Sequence, residues 1–253
     1  MRKKKPTKVA IIIAVVFLLL LFGASAVSGI LRNAHYFRIR EVIAPRDTDV
    51  DLSYLKGENI FALDLRKESR YILEQNPLYR SVRLIRIPPN RLYVELTRRR
   101  PAALVKLYRI FSVDQEGVLF AAPGDLRDTD LPMITGLETK IFGPQVGRKY
   151  SNRELNAALN TIKAFRVNRV LRFYKIKRID VAYPNNFSVF ISLPQDTETP
   201  LWMEIKLGDE GLKGKMNILA NVLMQSKNDL PNMRYIDLRF KDPVIKLKES
   251  RAH

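Results

Sequence analysis

The stretch Arg83–Val105, RLIRIPPNRLYVELTRRRPAALV, decides how the first half of the chain folds. Val82 to Ile87 reads as a strand, Pro88-Pro89-Asn90 as a turn, and Arg91 to Thr97 as a second strand. Side chains alternate along extended backbone. Leu92, Val94 and Leu96 therefore share one face, and Arg91, Tyr93, Glu95 and Thr97 the other. Arg98-Arg99-Arg100 reads as a solvated strand end, with lipid head groups or an anionic wall polymer as its other possible contacts. Pro101 marks the exit from a finished unit.

Upstream, YFRIREVIA (Tyr36 to Ala44) alternates as a strand, with Phe37, Ile39 and Ile43 punctuated by arginines. DLSYLKGENIF predicts a short helical turn stopped by Gly57. LDLRKESRYILEQNP predicts a longer helix. Asp64 caps it, and Leu65, Ser69, Ile72 and Leu73 fall on one face. Pro77 ends it by disfavouring helical backbone at Asn76. The order strand, helix, helix, strand, strand predicts a small three-stranded sheet with helices on one face, over residues 36–100.

Downstream, residues 101–248 predict a larger, open antiparallel sheet with two or three helices. RIFSVDQEGVLFA reads as a hairpin turning at Asp114 to Gly117. SNREL has the spacing of a capping box, Ser151 with Glu154, before the stripe Leu155, Leu159 and Ile162. FSVFISL alternates from Phe187 to Leu193, and LWMEIKLG is another strand. GLKGKMNILANVLMQ is a helix with Leu212, Met216, Leu219 and Leu223 inward. MRYIDLRF and PVIKLK are the final strands, and residues 249–253 are read as a frayed tail. The class is α+β.

The N-terminus determines which partners are within reach. Val9 to Leu31 is 23 residues without a charge, enough to cross a ~30 Å hydrocarbon core. Five basic residues fall within the first eight, so residues 1–8 are expected in the cytoplasm and residues 32–253 outside. A rival reading takes ASA at Ala24 to Ala26 as a signal-peptidase site. Net charge is +18, which favours polyanionic contacts. Both export readings remove nucleic acid from reach and leave lipid or wall polymer.

Catalysis finds little to work with. There is no cysteine, which excludes disulfides, thiol nucleophiles and Cys-ligated metals. The two histidines, His35 and His253, sit at the end of the apolar run and at the last residue. GLKGK at Gly211 lacks the spacing of a phosphate loop and reads as a helix start. Asp237 reads as an outward-pointing partner for a neighbouring arginine. No cofactor, metal or enzymatic activity is expected; a tethered binding module is.

The whole arrangement resembles the FtsQ/DivIB bacterial cell-division family. Residues 36–100 resemble a POTRA (polypeptide-transport-associated) domain, with NIFALDL (Asn59 to Leu65) similar to the opening of its second helix. NPLYRSVRLIRIPPNRLYVELTRRRPAALV resembles the family's long signature, and FSVDQEGVLF and LPMITG the start of its second domain. IKLGDEGLKGKMNILANVL and YIDLRF resemble its last helix and penultimate strand. Two departures stand out. APRDTD replaces the family's usual Gly-Asn loop, and Arg98 stands where the family often has Glu.

The resemblance implies a non-enzymatic scaffold in the cytoplasmic (inner) membrane at the division septum. It would link early and late division proteins and bind FtsB/FtsL-type coiled-coil partners. Other divisome proteins would be reached through the POTRA domain and the transmembrane helix. The resemblance maps the partner site onto Arg239, Phe240 and the strand after them.

The residues themselves agree. PVIKLK as the last strand of an open sheet leaves unpaired backbone groups for a partner strand. The expected site is Tyr235, Arg239, Phe240, Val244, Ile245, Lys246 and Leu247. Two plainer readings compete: Phe240 as core, alternating with Ile236 and Leu238, and the lysines as guards against aggregation. The competing function classes are a POTRA-type transport or assembly module, a wall-polymer-binding membrane protein and an envelope enzyme.

Overall fold

The computed structural model describes residues 8–122, 124, 129–183, 185–193, 202–208 and 210–248. The frayed tail 249–253 and all but Lys8 of the expected cytoplasmic tail lie outside the described residues. The chain divides into two units, residues 1–98 and 99–253.

The first unit opens with α1 (Lys8–Asn33), a helix of 26 residues. Ile12, Leu18, Leu20 and Phe22 are among its exposed large apolar side chains. Among the described residues no helix is long and apolar enough to cross a membrane. The expected span 9–31 runs through several positions whose side chains lie outside that set. The helix end is tied down from a distance in sequence. The Asn59 side-chain amide donates to Leu31 O (3.0 Å) and Ala34 O (3.2 Å), while its Oδ1 accepts from Phe61 N and Ala62 N. Carbonyls at a helix C-terminus have no intrahelical partner, and Asn59 supplies one.

β1 (Glu41–Ile43), α2 (Leu65–Gln75), β2 (Tyr79–Ile87) and β3 (Arg91–Arg98) follow. The sheet order is β1-β3-β2, with β1 parallel and β2 antiparallel to β3. Leu92 and Val94 are fully buried against Ile72 of α2, Leu84 of β2, and Ile60, while Tyr93 and Glu95 face out. Asp64 caps α2 through Arg66 N and Lys67 N. The strand read over 36–44 is shorter than expected. His35–Phe37 is a 3-10 turn, and Ile39 gives its backbone to the loop at Glu58 and Gly57. The first of the two expected helices shrinks to a 3-10 turn, Ser53–Leu55, closed by Gly57 at φ +91°.

The second unit contains β4 (Ala103–Lys106), β5 (Ile110–Val113), β6 (Leu119–Ala121), β7 (Met133–Thr135), α3 (Arg153–Val167), β8 (Lys175–Asp180), β9 (Phe187–Ser192), β10 (Trp202–Leu207), α4 (Leu212–Gln225), β11 (Met233–Asp237) and β12 (Val244–Leu247). They form one sheet of order β12-β11-β10-β9-β8-β7-β4-β5-β6. The sheet is mixed, not antiparallel as expected. β4 with β7, β7 with β8, and β10 with β11 run parallel. α3 lies between β7 and β8, and α4 between β10 and β11. Each helix makes the long crossover that a parallel pair requires. Leu155, Leu159 and Ile162 of α3 and Met216, Leu219 and Leu223 of α4 join alternate strand residues in a single core.

Three local expectations change. β4 lies inside the opening stretch, past Pro101, where the reading placed no strand. The capping box does not form. Asn152 occupies the cap position without a side-chain capping bond, its amide donating instead to Lys140 O, and Glu154 faces Lys140 at 3.7 Å. The arginine run is not uniformly solvated. The Arg99 side chain is only 10% exposed and meets Asp114 at 2.6 Å. Asp114 also accepts from Glu116 N and Val118 N, closing the β5–β6 turn. Gly117 completes it at φ +83°, where a Cβ would lie 2.4 Å from Tyr150 O.

Candidate partner-binding edge

Among the described residues β12 is the last strand of the sheet, paired only with β11. The register is antiparallel, Asp237↔Val244, Ile236↔Ile245, Tyr235↔Lys246 and Met233↔Leu247, with a bulge between Met233 and Tyr235. Lys248 N donates to Asn232 O at 2.8 Å. Backbone groups alternate in direction along a strand. Val244 and Lys246 therefore turn their N–H and C=O towards β11, and Ile245 and Leu247 turn theirs to the open side.

The edge is apolar as well as unpaired. Val244 is 47%, Ile245 39% and Leu247 57% exposed. Ile245 and Leu247 lie opposite Ile236 and Met233, both buried, so the core face of the sheet continues onto the open strand. On the other face Lys246 sits opposite Tyr235, whose ring carries Lys206 Nζ at 4.1 Å.

The turn before β12 holds Arg239 and Phe240. β11 stops at Asp237 because that carboxylate, 4% exposed, accepts Arg239 N at 3.0 Å and folds the chain back. Arg239 grips the same carboxylate through Nε (2.9 Å) and Nη2 (2.5 Å), and its Nη1 donates to Asn186 Oδ1. The Arg239 bonds hold the Asp237 carboxyl below its usual range, against the opposing effect of burial.

The alternation expected to carry Phe240 inward with Ile236 and Leu238 therefore breaks at Asp237. Ile236 and Leu238 are buried, and Phe240 is 61% exposed with the Arg239 guanidinium 5.7 Å from its ring centroid. The core reading of Phe240 fails for that reason. Asp237 is likewise not an outward strand residue but a buried anchor of the turn. The expected residues thus lie along one sheet edge and the turn before it, on two faces: Ile245 and Leu247 on the core side, Val244, Lys246 and Tyr235 on the other, Phe240 exposed in the turn, and Arg239 engaged in holding it.

Among the described residues no cluster of His, Asp or Glu could hold a metal ion. An α+β chain whose large sheet ends in an exposed apolar strand is the class that these features define. Residues 103–239 match the family described as cell division protein FtsQ/DivIB, C-terminal. The chain belongs to the FtsQ/DivIB family.

Its relatives include the cell division protein FtsQ of Geotalea daltonii, 25% identical over 79% of this chain and 70% of that protein. That of Myxococcus fulvus is 34% identical over 44% of this chain and 38% of that protein. That of an Anaeromyxobacter species is 30% identical over 75% and 62%. The chain thus spans less than two thirds of the length of two of these three relatives. The family match ends at Arg239, so Tyr235 and Arg239 lie inside it and Phe240 to Leu247 beyond it.

Proposed function

We propose that this chain is a non-enzymatic, bitopic scaffold of the bacterial divisome. Residues 9–31 anchor it in the cytoplasmic membrane with the N-terminus inside, and the bulk of the chain works outside at the septum. It links early and late division proteins by accepting a segment of an FtsB/FtsL-type coiled-coil partner on β12, with other divisome proteins meeting its POTRA-like unit or its helix. One observation supports this reading above the rest: an apolar edge strand whose outer side has no neighbouring strand among the described residues, with Phe240 exposed at its entrance. Exposed apolar edges invite strand addition, and a single aromatic anchor often carries about 2 kcal/mol or more of an interface.

The test is capture of the coiled-coil partners by the full-length protein in detergent. Phe240→Ala should weaken capture by about thirtyfold, the factor for about 2 kcal/mol. The melting temperature should not move, because an exposed ring contributes little to folding. Unchanged capture would overturn the assignment of this edge.

A further inference from the structure

The turn joining α3 to β8 carries a pattern that none of these roles uses. From Leu155 to Ile179 every charged residue is basic: Lys163, Arg166, Arg169, Arg172, Lys175, Lys177 and Arg178. The first five recur at every third position. All of them are exposed. Among the described residues the opposing charge that reaches this turn is Asp130, 3.0 Å from Lys175 Nζ.

The turn is built rigidly and points apolar groups outward. Asn168 Oδ1 accepts from Val170 N and Leu171 N, Tyr174 N donates to Leu171 O, and Leu171 is fully buried. On that frame Val167 is 76% and Phe173 67% exposed. The Arg172 guanidinium lies 4.9 Å from the Phe173 ring centroid. A cavity of about 150 Å³ opens beside them, its polar lining Arg166, Arg172, Tyr174, Lys175 and Asp130. Trp202 is 40% exposed, and it pairs with the same residue, Ser192, as Lys175 does on the other side. Trp202 therefore stands in the same cross-strand row as Lys175.

We propose that this turn docks the second unit onto an anionic phospholipid surface. Phe173 and Val167 enter the boundary between head groups and acyl chains, and the surrounding arginines and lysines bind lipid phosphates. A hydrophilic anionic polymer would satisfy the cations but leave Val167 and Phe173 in water. A bilayer interface accommodates both, with apolar tips buried and guanidinium groups paired to phosphate oxygens.

The chain has no cysteine, so a single introduced thiol is unique. Val167→Cys in the full-length protein, labelled with a polarity-sensitive dye, is reconstituted with vesicles. With phosphatidylglycerol present the dye should shift to the blue and be quenched by brominated lipids. It should stay aqueous in pure phosphatidylcholine and return to water at high salt. A control dye at Tyr108→Cys, 71% exposed on the β4–β5 turn, should stay aqueous throughout.

Arg169→Glu with Arg172→Glu should cut the lipid-exposed fraction at least about tenfold, since each basic residue at an anionic surface is worth roughly fivefold. Phe173→Ser, which alters no charge, should reduce it independently. Both variants should melt like the parent.

A dye that stays aqueous on phosphatidylglycerol vesicles overturns the proposal. So does protection that appears only when soluble anionic wall polymer is added. Flotation of the whole chain with phosphatidylcholine vesicles reports on α1 as an anchor whatever the dye does, so the two ideas fail separately.

Discussion

At the scale of single residues, two carboxylates do what exposed carboxylates cannot. Asp114 binds Arg99 and two backbone N–H groups from a site 5% exposed. Breaking a buried, hydrogen-bonded ion pair by removing one partner costs up to about 3–5 kcal/mol. Asp114→Ala should therefore lower stability by that order in urea unfolding, and Arg99→Ala by a similar amount. Arg98→Ala, at an exposed strand end, should do far less. Equal effects at Arg98 and Arg99 would contradict the contrast. Asp237 allows a pH test. Its folded pKa is depressed by Arg239, so its stabilising effect is complete above the unfolded carboxylate value of about 3.9 and is lost as pH falls below it. The stability gap between the protein and Asp237→Asn should be constant from neutral pH down to about 4.5 and then shrink. A gap that widens on acidification would mean that the Arg239 bonds do not favour the charged form.

At the scale of elements, the edge strand makes a paired prediction. Ile245 turns its N–H to the open side and Lys246 turns its N–H to β11. Proline lacks that donor and is tolerated where the ladder does not use it. Ile245→Pro should keep the fold and lose partner capture, whereas Lys246→Pro should detach β12 and lower the melting temperature. If Ile245→Pro folds and still captures partner at full strength, strand addition at β12 is not the mode of binding. The hairpin, α2 and the helix stripes of the second unit were legible because each depends on alternation or a 3.6-residue period within one segment. The parallel pairings were not, since they depend on which strand a crossover returns beside, and no local pattern records that. The burial of Arg99 was hidden for a similar reason: its partner, Asp114, lies fifteen residues on, across a turn. The competing reading of Phe240 as core followed a correct period one step too far. The signal that could have stopped it was Asp237, a residue whose short carboxylate readily closes a turn on the backbone two positions ahead.

At the scale of the whole molecule, charge and the apolar helix together fix an expected topology. Arg2, Lys3, Lys4, Lys5 and Lys8 precede the uncharged run 9–31, and an excess of lysine and arginine holds its side of a span in the cytoplasm. The rest of the chain remains strongly basic, and a bilayer's hydrocarbon core does not admit such a surface. The arrangement proposed above is a single crossing with residues 32–253 outside. Protease added to intact spheroplasts should then digest nearly the whole protein and leave only a short fragment ending near Asn33. The same protease should leave a cytoplasmic marker untouched. If the full chain survives until the membrane is broken, the bulk lies inside and the orientation is reversed. If the mature protein instead begins near Val27, the apolar run is a removed signal. The scaffold would then reach the septum through its partners, or through the basic turn at Arg166–Lys175, without an anchor of its own.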